Sequence, residues 1–283
     1  MLIIAQEGPG SAAGWLPTLL REGYLSIPAI TDAADIAIIV NICSRLIAAR
    51  AGYREGRQFD MVGEDESAAT LRVPQILRPH LDAPALRRTR FYHAAEGLAR
   101  ALLGPQARFT FDHIIMKPAR EGAAVPFHQD EAFRDPAMKY QEITIWLPLQ
   151  PVDMHNGCMQ FIPGSHLGEV LAHRHGNGGG RVHALECFGY DQAAAVSCPL
   201  PLGGCTVHTG RTVHGSGANQ SAAPRYAYSL VFECPPAKCE IPRNFPWQQT
   251  APTNRDLREQ LWRRRGGLGV LAWRKLRRSL LKI

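Results

Sequence analysis

No two cysteines of this chain form a CxxC pair, and the seven present (Cys43, Cys158, Cys187, Cys198, Cys205, Cys234 and Cys239) are odd in number. That combination argues against a disulfide framework and against a thiolate zinc site, so reduced, mostly buried thiols are expected. Long apolar runs are missing as well, since nothing approaches the roughly 18 residues that span a bilayer. The opening stretch MLIIAQEGPGS lacks a basic n-region and an h-region long enough for secretion, which makes a cytoplasmic protein the expectation. Internal repeats are absent, and so is any charge excess over most of the chain. Residues 255–283 hold ten Lys/Arg and two Asp/Glu, a local +8 within a total of +7, so the other 254 residues carry −1. A neutral body argues against nucleic acid as a partner, because only the tail is basic.

The remaining composition, 45% hydrophobic and 20% charged, is that of a globular protein, and 283 residues suit one large domain. A short strand is expected around Tyr24–Ile27. Thr31 or Asp32 can cap a following helix whose Ile36, Ile39, Val40, Cys43 and Leu46 recur at steps of three to four. A second helix is expected over 84–103, with Leu86, Phe91, Ala95, Leu98 and Leu102 as its stripe, and 53–83 shows no clear period. From Arg108 onward the pattern becomes short β-like runs: RFTFDHIIMK, EITIWLPLQPV, CMQFIPGS, CTVHTG and RYAYSLVFEC. Helices followed by many short strands predict an α+β, mainly β architecture with a barrel or double-sheet core. The expected division is a single domain over 1–250, helical over about 12–105 and β over about 108–240, with a basic amphipathic tail at 251–283. The glycine-rich stretch 172–183 reads as a mobile surface loop that, with 53–83, is expected to cover the substrate mouth, and Asn156-Gly157 as a tight turn between strands.

The chemistry begins at PFHQDEAF, residues 126–133. On an extended chain, residues two apart share a face, so His128 and Asp130 project together and Gln129 turns away. His214 ends one later run and Arg225 begins the next, across a Gly/Asn/Pro turn. Two histidines and one carboxylate suit Fe(II) and leave open coordination positions for O2 and a bidentate co-substrate. Arg225 suits the far carboxylate of a 2-oxo acid, because guanidinium makes paired, charge-assisted hydrogen bonds to carboxylate.

Five stretches in order, MKPA (116–119), FHQD (127–130), TIWLPL (144–149), NGCMQFIPGSH (156–166) and HGSGANQS…R (214–225), resemble the phytanoyl-CoA dioxygenase family of Fe(II)/2-oxoglutarate-dependent oxygenases. The resemblance covers roughly 15–235. It implies a double-stranded β-helix (jelly-roll, cupin-like) core with flanking N-terminal helices. It also implies His128, Asp130 and His214 as iron ligands and Arg225 as partner of the 2-oxoglutarate C5 carboxylate. Ser216 and Trp146 match positions that line the co-substrate pocket, and Lys117 and His113 match it more loosely. The activity implied is hydroxylation, or another oxidation, of a C–H bond with release of succinate and CO2. Asp130 favours hydroxylation over halogenation, since related halogenases carry a small residue at that place. The Gly203-Gly204 pair departs from the family's Gly-Asp, which bears on a turn and not on the metal.

A small-molecule substrate is expected, such as a specialised metabolite or an acyl intermediate linked to CoA or a carrier protein. Two alternatives stand beside it: a non-catalytic jelly roll that binds metal or ligand, and a membrane-surface oxygenase. The second rests on Trp273, Leu276, Leu280 and Ile283 facing away from Arg274, Arg277, Arg278 and Lys282; a terminal helix packed on its own domain is preferred. His166 is read as fixing a loop, Phe161 as core and His208 as a structural residue near the site. His173, His175 and His183 are read as too poorly preorganised to bind metal.

Overall fold

Residues 12–63, 72–120, 122–176, 182–250, 252–267 and 269 are described by the computed structural model of the chain. Helix α1 (Ala12–Glu22) leads into strand β1 (Tyr24–Ile27), and Asp32 then caps helix α2 (Ala33–Ala48), its carboxylate accepting from the Asp35 amide at 2.9 Å. Ile36, Ile39, Cys43 and Ile47 form the buried stripe of α2 at the predicted spacing. The helix expected over 84–103 is two pieces. Pro84–Arg88 is a 3-10 turn, Thr89 is extended, and its hydroxyl accepts from the Tyr92 amide to start helix α3 (Arg90–Leu103). Asp35 ties the helices together by accepting from the amides of Arg90 and Phe91 at 3.0 and 2.8 Å.

Among the described residues, the larger sheet is antiparallel. Its order is β1, β12 (Cys205–Thr209), β7 (Glu142–Pro148), β14 (Arg225–Glu233), β4 (Arg108–Lys117), β3 (Pro74–Leu77) and β2 (Gln58–Asp60). The two short strands β2 and β3 come from the stretch without a period, where three or four residues are too few to show one. Strand alternation divides this sheet into two chemistries. Ile143, Ile145 and Leu147 of β7, with Tyr228, Leu230 and Phe232 of β14, pack with Ile39, Phe91 and Leu98 of the helices. Burying side chains of this size stabilises the fold by about 1.5–3 kcal/mol each. The residues between them, Glu142, Thr144, Trp146, Arg225, Ser229 and Val231, line a cavity on the other face.

The smaller sheet, in the order β11 (Val196–Cys198), β8 (Met159–Phe161), β13 (His214–Ser216) and β5 (Val125–His128), carries the opposing apolar layer. Its Met159, Phe161 and Cys198 pack with Leu200 and with Trp146 of β7. The result is the expected double-stranded β-helix with helices on its outer face. Two further short pairs are present: β6 (Met138–Lys139) with β15 (Ala237–Lys238), and β9 (His173–His175) with β10 (Leu185–Cys187). The second pair corrects the loop expected over 172–183. Its first residues are paired strand, its centre at 177–181 lies outside the described residues, and Val182 is buried. The tail residues from 270 onward also lie outside them. No described helix is long and apolar enough to cross a membrane.

Candidate active site

β13 pairs with β5 so that His214 stands opposite His128, which brings two distant stretches of sequence to one point. β5 ends at His128, and extended Gln129 (φ −119°, ψ 131°) turns the chain into a 3-10 turn that begins with Asp130. The reading of residues two apart therefore holds even though the strand has ended. Gln129 faces away and is fully buried, donating to the Arg211 carbonyl at 2.7 Å and accepting from the Leu171 amide at 2.7 Å.

Both histidines are oriented by their Nδ1 atoms. His128 Nδ1 lies 2.8 Å from the Pro126 carbonyl and His214 Nδ1 lies 2.9 Å from the Thr212 carbonyl. A carbonyl only accepts, so each Nδ1 carries the proton and each Nε2 keeps a free lone pair. Those Nε2 atoms lie 3.7 and 3.6 Å from Asp130 Oδ1, and the three donors fall within 4.8 Å of one another. Thr144 donates to Asp130 Oδ2 at 2.9 Å. Burial alone would raise the Asp130 carboxyl, but the imidazoles of His214, His208 and His128 outweigh it and hold it well below the usual carboxylate range. Burial pushes both ligand histidines down. An ionised carboxylate and two neutral imidazoles with inward lone pairs are the donor set that a divalent iron requires, so the residues fit that ion.

The second half of the site is cationic. Arg225 is 2% exposed, stands opposite Lys117 in the β14–β4 register, and holds its guanidinium 5.5 Å from the Trp146 ring centre. Among the described residues no carboxylate pairs with it, and its Nε has no partner. Burial lowers its pKa to about 10. Lys117 is fully buried behind Ser216, donating to the Ser216 hydroxyl at 2.9 Å, to its carbonyl at 3.1 Å and to the Gly217 carbonyl. Burial, then repulsion by Arg225, holds its amine well below the usual lysine range.

The triad, Arg225, Ser216, Trp146 and His113 share one cavity of about 540 Å3, while Lys117 supports it from behind. Residues 19–227 match the family model described as phytanoyl-CoA dioxygenase (PhyH). The chain belongs to the phytanoyl-CoA dioxygenase family. A probable alpha-ketoglutarate-dependent hypophosphite dioxygenase of Stutzerimonas stutzeri is 29% identical over 210 residues, 73% of each chain. Phytanoyl-CoA dioxygenase domain-containing protein 1 of Bos taurus is 29% identical over 155 residues, 53% of each chain. EvdO2 from Micromonospora carbonacea var. aurantiaca, solved with 2-oxoglutarate, superposes with a TM-score of 0.73 at 30% identity, over 87% of this chain and 99% of that one. The epimerase SnoN, solved with Fe3+, alpha ketoglutarate and nogalamycin RO, shares the fold with a TM-score of 0.63 at 24% identity, over 80% of this chain and 85% of that one. This family member is thus an iron- and 2-oxoglutarate-dependent dioxygenase.

Several neighbours of the site were placed near it by the sequence, but without their contacts. His208, on β12 opposite Thr144, puts Nε2 3.4 Å from Asp130 Oδ2 and its ring 4.2 Å from His214. Thr144 was not singled out from the sequence, although its place two residues before Trp146 puts both on one strand face. Gln75 donates to His113 Nδ1 at 2.8 Å, which leaves the buried His113 Nε2 as a donor without a partner. His183 also lines the cavity, stacked on Phe133 at 5.5 Å, so it belongs to the site's wall and not to a loose loop. His166 does fix a loop, by way of the Leu20 carbonyl at 3.1 Å.

Proposed function

We propose that this enzyme hydroxylates a C–H bond of a small organic substrate held in the cavity, with 2-oxoglutarate and O2 as co-substrates. The observation that carries the reading is Arg225, a buried guanidinium with no carboxylate partner among the described residues, facing the same cavity as the triad. A cation kept out of water needs an anion, and a dicarboxylate co-substrate supplies one. His128, Asp130 and His214 would hold iron(II), which when bound supplies the oxidising chemistry for O2. Arg225 and Ser216 would take the distal carboxylate, while Trp146 would close that end against water. The overall change balances as RH + 2-oxoglutarate + O2 giving ROH + succinate + CO2. Decarboxylation and the C–H bond each give two electrons, and O2 takes four.

The cavity wall includes Phe111, Ile115, Phe133, Trp146 and Met159. That much space and apolar surface suits an organic molecule and not an ion of the size of hypophosphite, the substrate named for the Stutzerimonas relative. Anaerobic visible absorption tests the reading. Fe(II) followed by 2-oxoglutarate should give a weak charge-transfer band. Asp130→Ala should abolish that band, and Arg225→Ala should require at least tenfold more 2-oxoglutarate to reach it. A folded, iron-loaded wild type without the band would refute the proposal.

A further inference from the structure

The triad and the groups around Arg225 come from residues 19–227, the part that matches the family. The cavity continues beyond it. Helix α4 (Asn254–Trp262) and the residue after it bring Arg255, Glu259, Trp262 and Arg263 to the wall. At about 100° per residue these four positions fall within one arc of roughly 100°. Leu257 and Leu261 point away from it and are 44% and 49% exposed. An ordinary surface helix does the reverse, burying its leucines and exposing its charges. A helix that turns its polar arc inward is placed for the cavity and not for core packing.

The placement is built. Thr253 and Asp256 form a reciprocal cap at its start. Arg255 Nε donates to the Gly56 carbonyl at 2.8 Å, while Arg258 donates from Nε to Tyr53 and from Nη2 to Gln58, both at 3.0 Å. Gly56 has φ +69°, and a Cβ there would lie 2.9 Å from the Arg255 carbonyl and from Glu259 Cβ, so the helix sits as close as backbone permits. These contacts fix α4 to the 53–58 segment, which supplies Glu55 and Arg57 to the same rim.

Most of the rim's charged side chains are held in pairs. Arg57 pairs with Asp82 at 2.6 Å, Arg255 with Asp256 at 3.2 Å and Glu259 at 3.4 Å, and Arg263 with Glu259 at 2.5 Å. Arg78 and Glu55 add one charge of each sign. Guanidiniums already paired with carboxylates attract an anionic substrate end less than the uncompensated Arg225 does at the co-substrate end. Guanidinium forks, a carboxylate and an indole face instead offer donors, acceptors and a flat apolar surface side by side.

We infer that α4 is the specificity wall of the substrate cavity, and that its Arg255, Glu259, Trp262 and Arg263 receive an uncharged, hydroxyl-rich end of the substrate. The inference rests on the function proposed above. It is tested by titrating the anaerobic Fe(II)–2-oxoglutarate complex with three probes of one chain length: octyl glucoside below its micelle concentration, nonanoate and octyl phosphate. The glucoside should perturb the charge-transfer band at concentrations at least tenfold lower than either anion. Trp262→Ala and Arg263→Gln should each weaken it about tenfold, the loss expected when a contact that the bound ligand covers is removed, with the 2-oxoglutarate band still present as the sign of an intact fold. Tighter binding of either anion, no binding of any probe, or unchanged glucoside affinity in both variants would overturn it. Absence of the band in wild type would instead sink the underlying reading.

Discussion

Arg225 and Lys117, buried opposite each other, show how residue type and surroundings together set a role. Both are kept from water and both repel, yet they are held differently: Arg225 is left for a ligand, while Lys117 spends its amine on Ser216 and Gly217. Lys117→Met would leave those acceptors buried and unsatisfied, so a loss of about 1–3 kcal/mol in chemical denaturation is expected. Because Ser216 would lose the bond that fixes it, the KM for 2-oxoglutarate should rise while iron affinity stays near wild type. An unaltered KM would mean that Ser216 needs no such support. The spacing of His128 and Asp130 was legible in the residues themselves, whereas the family resemblance singled out His214 and Arg225; the four line one cavity. For His208 a place near the site was legible but its contacts were not, since only the pairing of β12 with β7 puts its ring beside His214.

At the scale of elements, alternation in β7 and β14 was legible and is what separates core from cavity. The pairing of strands was not legible. Asn156-Gly157 does hold a turn, with Gly157 at φ +85°, but the turn joins β7 to β8 across the two sheets and not two neighbours in a hairpin. It is organised by side chains: Asp153 accepts from the amides of His155 and Asn156 at 2.9 and 3.1 Å, and Asn156 accepts from the Asp153 amide at 2.9 Å. A Cβ at Gly157 would meet the Gly217 carbonyl at 2.6 Å, next to the strand that carries His214. Gly157→Ala combines that collision with a disfavoured φ, so a loss of about 1–3 kcal/mol and a lowered melting temperature are expected. Thermal unfolding of the metal-free protein measures it; a change below about 0.5 kcal/mol, the scale of an ordinary surface substitution, would show that the turn relaxes freely.

At the scale of the whole molecule, the buried histidines couple folding to protons. Burial lowers His113 and His173 to about 4 and His183 to about 3. An unfolded histidine titrates near 6.5, so between that pH and the folded values the unfolded chain binds protons that the native chain refuses. Stability from these groups is complete above about pH 6.5 and is lost as pH falls toward 4, with about three protons taken up on unfolding at pH 5. None of this was legible in composition, because eleven histidines say nothing of which ones the fold keeps dry. His183 isolates the effect, being outside the metal triad and packed edge-on to Phe59 and flat on Phe133, a setting that accepts a phenyl ring. His183→Phe should therefore lower the slope of stability against pH by about one proton between pH 4 and 6. Above pH 7 it should change stability little, because a neutral ring of similar size replaces a neutral ring. Urea denaturation of wild type and variant across that pH range decides the matter: parallel curves would mean that native His183 accepts a proton as readily as the unfolded chain does.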